Sequence, residues 1–144
     1  MQALTKEREH ERDIEEEVLE LLGGHEGDTL DALIRSGIPL SVLDKLAQHG
    51  IDAGRLGIIN PRTLRHRRQK SEPLNSDEGD RLYRVSRIVV LAEDVFGNQE
   101  KAATWLNKPR RALGGRNAFE AAKTTPGYLA VEELLEQLRH GYVA

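Results

Sequence analysis

The stretch EGDRLYRVSRIVVLAEDVF, residues 78–96, is the longest periodic segment of the chain and reads as a helix. Leu82, Val85, Ile88, Val89, Ala92, Val95 and Phe96 recur at helical spacing. Their stripe is broader than the single face of a surface helix, which predicts burial on more than one side. A helix of this kind needs other helices around it, and the flanking sequence supplies them.

Downstream, residues 98–106 form a further helix carrying Ala102, Ala103, Trp105 and Leu106, stopped by Asn107-Lys108-Pro109. Gly114-Gly115 breaks the chain, and Thr125-Pro126-Gly127 precedes a last helix with Val131, Leu134, Leu135 and Leu138 inward, ended by Gly141. Upstream, Ser71-Glu72-Pro73-Leu74-Asn75-Ser76 reads as a turn, with Ser76 or Asp77 capping the long helix. Before it, Asn60-Pro61 is an N-cap and first-turn signal that opens a basic helix. Asp52 is expected to cap a helix of one or two turns just ahead of that. Residues 39–49 predict a helix with Leu40, Leu43, Leu46 and Ala47 inward, and residues 29–36 another, with Asp28 as N-cap. The acidic start places Ile14, Val18, Leu21 and Leu22 on one stripe, and Gly23-Gly24 stops it. No segment reads as a strand, so the expected fold class is all-α.

Composition narrows the chemistry. With no Cys among 144 residues, disulfides, thiolate zinc sites and a cysteine nucleophile are excluded. The five histidines, His10, His25, His49, His66 and His140, lack metal-ligand spacing, and no catalytic set stands out. Gly114-Gly115-Arg116 follows no strand and reads as helix punctuation, while Trp105 reads as a core anchor. No metal and no cofactor are expected. No apolar run approaches the ~20 residues of a bilayer span, and the start lacks a signal-peptide core, which together predict a cytoplasmic protein without a membrane partner.

The formal net charge of -3 conceals a segregation. Residues 7–20 are dominated by Glu, whereas PRTLRHRRQK, residues 61–70, holds five cations and no acid. With Leu64 inward, Arg62, His66 and Gln69 face outward, flanked by Thr63 and Arg65. Arg67 and Arg68 lie nearer the core, their stems covering apolar surface. Such a helix suits a major groove: Arg62, Thr63, Arg65 and His66 would meet bases or nearby phosphates, and Arg67, Arg68 and Lys70 the backbone. The plainer alternative is a solvated basic face.

Several motifs, in order, go further. They are RTLRHR at 62–67, SDEGDRL at 76–82 with RVSR at 84–87, VFG at 95–97, AATWLNKP at 102–109 with LGG at 113–115, and TPG at 125–127 with Val131, Leu134-Leu135 and Gly141. Residues 38–144 thereby resemble the Xre/MbcA/ParS-type antitoxin family. Where that family commonly has a proline after the glycine pair, this chain has Asn117, a departure that touches the local turn and not the domain.

The resemblance implies an Xre-like helix-turn-helix followed by a helical toxin-binding domain. It divides the chain into an N-terminal extension (1–37), a DNA-binding region (38–72) and a toxin-binding and dimerisation domain (73–144). It further implies a homodimer without catalytic residues that binds operator DNA and a cognate RES-type toxin acting on nicotinamide adenine dinucleotide. The C-terminal end, Arg139, His140, Gly141, Tyr142, Val143 and Ala144, would block the toxin's active site. Either Arg139 would engage carboxylates there or the Ala144 carboxylate would occupy an anion site; a frayed terminus is the plain alternative. Two other functions fit the residues: a helix-turn-helix regulator without a toxin, and an adaptor whose basic helix meets an acidic protein.

Overall fold

The long helix is the axis of the molecule. In the computed structural model, which describes residues 2–141, it runs Ser76–Phe96 and spans about 31 Å. We number the helices α1 (Gln2–Leu21), α2 (Leu30–Ser36), α3 (Ser41–Gln48), α4 (Pro61–Lys70), α5 (Ser76–Phe96), α6 (Gln99–Asn107), α7 (Ala118–Ala121) and α8 (Thr125–Arg139). Helices α1, α2, α6 and α8 all pack on α5. Burial accordingly runs around it: Val90, Leu91, Ser86 and Arg87 are buried as well as Leu82, Val85, Ile88, Val89 and Ala92. Val95 and Phe96, expected in the stripe, are only half-buried near its end. Among the described residues the sole β-type pairing is an isolated antiparallel bridge between Arg110 and Arg116.

Local chemistry sets the helix ends, and several differ from expectation. Asn75, not Ser76 or Asp77, caps α5: its Oδ1 accepts from the Glu78 N–H at 2.9 Å, while Glu78 Oε1 accepts from the Asn75 N–H at 2.8 Å. Thr29 replaces Asp28 as the cap of α2, because the Asp28 carboxylate is taken by the His25 N–H at 2.8 Å. Helix α3 starts at Ser41 and buries Val42, Leu43 and Leu46, leaving Ala47 exposed and Leu40 half-buried. Asp52 does not start a helix. Its Oδ1 accepts from the N–H groups of Gly54 and Arg55, both at 3.1 Å, closing a turn that delivers Ile58 and Ile59 to the core.

Beyond Gly114, Asn117 caps the short helix α7 with a reciprocal Glu120 bond, which explains how the chain turns there without a proline. Thr124 then caps α8, so Thr125-Pro126-Gly127 forms its first turn and does not precede it. Gly127 is required by proximity: a Cβ there would lie 1.9 Å from the Ala121 carbonyl oxygen.

A polar cluster ties three helices together. Arg87 on α5 donates at 2.6 Å to Glu132 of α8, to Glu15 of α1 and to Glu11 of α1, with only 8% of its side chain exposed. Burial alone would lower the guanidinium's pKa; the hydrogen bond to Glu132 and the charge around it hold it above the usual range instead. Tyr83 donates to the same Glu15 oxygen at 3.0 Å, and burial, opposed by Arg87, pushes its phenol up to about 12. It therefore remains a donor at neutral pH.

Two stability outcomes are expected. Gly127→Ala drives a methyl into backbone and should cost about 1–3 kcal/mol in urea unfolding. Arg87→Met removes three charge-assisted hydrogen bonds from carboxylates that stay partly solvated and should cost about 2–3 kcal/mol, part of which returns when Glu15→Gln and Glu132→Gln are added.

Candidate functional site

Helix α4 lies shallowly on the core. None of its side chains is fully buried, and its apolar anchor is the half-buried Leu64. It exists because both ends are closed locally. Asn60, in extended conformation, accepts the Arg62 N–H at 2.8 Å through its side chain, and Pro61 occupies the first turn. At the other end Ser71 adopts a left-handed conformation (φ 54°, ψ 39°), and the Glu72 N–H bonds the Arg67 carbonyl oxygen at 2.9 Å. A helix held at its termini is free to present its sides.

The cations of α4 fall into two groups. Arg62, Arg65, His66 and Lys70 are exposed and make no ion pair with any described residue. Arg67 is committed inward: it pairs with the buried Glu78 and donates to the Pro73 carbonyl at 3.2 Å, clamping the end of α4 to the start of α5. Arg68 remains at the surface, 3.4 Å from Asp44 of α3, in a pair worth less than about 1 kcal/mol. Thr63, expected beside the outward face, is half-buried. The basic surface is thus narrower than the run of Arg suggested, and its orientation is set by one of that run's own members.

Arginines in the motif on α5 also act as clamps. Arg81 Nε donates to the Ile58 carbonyl at 3.1 Å, holding the turn before α4. Arg84 Nε donates to the Ala122 carbonyl at 3.2 Å and pairs with Asp80. Sequence spacing marked these residues as a pattern without revealing what they hold.

At the far end of α8, Arg139 is tied back to Glu136 at 2.6 Å, and His140 Nε2 lies 3.8 Å from the same carboxylate oxygen. Gly141 (φ 89°) donates to the Leu138 carbonyl at 3.1 Å and turns the chain off the helix. Tyr142, Val143 and Ala144 lie outside the described residues. Trp105 is buried as an anchor of α6, with the Arg110 guanidinium 4.3 Å from its ring centre and Phe96 6.1 Å away. No described helix is long and apolar enough to cross a membrane, and the described residues contain no group of three or more His, Asp or Glu able to hold a metal ion.

Comparison with known proteins matches this architecture in two consecutive parts. Residues 29–87 match the antitoxin Xre-like helix-turn-helix domain, and residues 91–141 match the antitoxin Xre/MbcA/ParS C-terminal toxin-binding domain. Helices α2, α3 and α4 fall within the first match, α6, α7 and α8 within the second up to residue 141, and α5 runs through both. Antitoxin Xre of Pseudomonas putida is 39% identical over 111 residues, covering 76% of this chain and 70% of that protein. Antitoxin Xre of Photorhabdus laumondii is 30% identical over 123 residues, 82% of this chain and 83% of that one. Antitoxin Xre of Yersinia enterocolitica is 34% identical over 84 residues, 58% and 57% respectively. The chain belongs to the Xre antitoxin family, with an Xre-like helix-turn-helix followed by an Xre/MbcA/ParS-type C-terminal domain.

Proposed function

We propose that this type II antitoxin represses its own operon through α4 and silences, with its C-terminal end, a RES-type toxin that acts on nicotinamide adenine dinucleotide. It works by binding and not by catalysis, as a cytoplasmic homodimer. Residues 1–37 serve as an extension, 38–72 read DNA, and 73–144 hold the toxin and the dimer contact.

The observation that carries the DNA half is the row of uncompensated cations on α4. Arg62 sits in the first turn, where the helix dipole also favours phosphate, and Arg65 and His66 follow on the exposed side. Arginine can contact guanine in bidentate fashion, which supports contacts by Arg62 and Arg65 with bases and the phosphates beside them. Arg68 releases Asp44 at little cost and joins Lys70 on the backbone. Arg67 contributes by holding the helix in place. A net charge of -3 keeps the affinity of one monomer low, and a two-fold dimer meeting two half-sites restores it.

Support for the toxin half comes from the family and from the end of α8. The Arg139–Glu136 and His140–Glu136 contacts are partly exposed, so a partner's carboxylates can replace Glu136 at small cost. Tyr142, Val143 and Ala144 follow in the sequence.

Two experiments test the halves separately. Arg62→Ala with Arg65→Ala should lower the slope of log affinity against log salt by about 1.8 per half-site, hence about 3.6 for the dimer, read by fluorescence anisotropy on a duplex from upstream of the reading frame; an unchanged slope removes the first turns of α4 from the DNA interface. Truncation after Leu138 should retain DNA binding but fail to protect cells expressing the adjacent reading frame, or to stop dinucleotide consumption in their lysate. Continued protection would sink the tail assignment, and a harmless neighbour would favour a regulator without a toxin.

A further inference from the structure

We infer that Lys123, which belongs to the C-terminal toxin-binding half, is a DNA-backbone contact that widens the surface of α4. This inference rests on the proposal that α4 binds DNA. Lys123 lies in the turn between α7 and α8, more than fifty residues from α4 along the chain, yet the fold brings it against the turn that leads into α4. A Cβ at Gly57 would lie 3.4 Å from Lys123 Cε and 3.7 Å from its Nζ, so the ammonium rests on the turn that leads into α4. Gly57 has φ +74° and no side chain, which leaves that place open.

Two arginines of α5 enforce the juxtaposition. Arg81 holds the carbonyl of Ile58, next to Gly57, and Arg84 holds the carbonyl of Ala122, next to Lys123. Both loops are thus fastened to one rigid helix. From Gly57 to Arg62 the chain can span at most about 18 Å, within the reach of about three successive phosphates on one strand.

The charges at this corner are unbalanced. Arg55, Arg62 and Lys123 are exposed and form no ion pair with a described residue. None of the acids in these segments pairs with the three cations: Asp52 accepts N–H groups of its own turn, Asp80 pairs with Arg84, and Glu120 caps α7. Three free cations, one on the turn before α4, one in the first turn of α4 and one on the turn that rests against Gly57, suit a polyanion that runs past all of them better than a compact ligand. Lys123 carries no base-reading geometry; as a flexible point charge it positions the protein on phosphate.

The test is salt-dependent anisotropy of the full chain on the same upstream duplex, between about 50 and 200 mM salt. Lys123→Gln should lower the slope by about 0.9 per half-site, hence about 1.8 for the dimer, and weaken binding several-fold at the low-salt end, while Lys123→Arg keeps the slope. Lys101→Gln, an equal charge change on α6, should leave it unchanged. Because Lys123 is exposed, its variants should melt with the wild type by circular dichroism. If Lys123→Gln keeps the wild-type slope while Arg62→Ala with Arg65→Ala lowers it, the Lys123 inference is overturned and the α4 reading stands. If neither change moves the slope, the α4 reading fails and the inference with it. An equal loss from Lys101→Gln overturns it too, since the effect would then be one of total charge.

Discussion

A guanidinium removed from water is stable only where carboxylates surround it, and Arg87 meets that condition by drawing on two other helices. Its partners Glu132, Glu15 and Glu11 are 45, 72 and 76 residues distant in sequence. Satisfying this one cation therefore requires α1, α5 and α8 to be in place together. Leu82, Ile88 and Val131 can tolerate small rotations against their neighbours, but a three-way fork of hydrogen bonds cannot. The apolar core supplies the bulk of the driving force and the cluster supplies direction.

Arg81, Arg84 and Arg87 are spaced three apart, and each step of three moves the side chain back by about 60° around the helix. They consequently fan across adjacent neighbours: the turn before α4, the turn before α8, and then α1 with α8. One helix thus carries the fastening points of both halves of the molecule. Arg67 makes the reciprocal attachment, from α4 back to Glu78 at the start of α5. The surface that would meet DNA and the helix that would meet a toxin are referenced to the same axis.

Elements whose signals are local were legible in the sequence. The breadth of the Leu82–Ala92 stripe foretold burial around α5, and Asn60-Pro61 foretold where α4 begins. Caps were harder to place, because neighbouring polar residues compete and the winner depends on backbone conformation: Asn75 over Ser76, Thr29 over Asp28. Helix α7 escaped notice because four residues cannot show a period, although Asn117 and Glu120 already held the spacing of a capping box. Long-range polar pairs were invisible. The helical phase set Arg67 nearer the core than Arg65, but nothing near Arg67 points to Glu78 as its partner, and nothing near Arg87 points to acids at the other end of the chain.

Helix α1 lies outside both family matches, yet it provides two of the three carboxylates around Arg87. The extension is for that reason not a detachable module. A graft that carried only residues 29–141 into a chimeric repressor would keep Arg87 and Glu132 but strip the cation of its other two partners and uncover the surface that Ile14 and Val18 protect. Exchange of parts with a relative built differently at its start would have to bring a replacement for Glu11 and Glu15, so recombination within such a family is constrained at a position that the matched regions alone do not reveal.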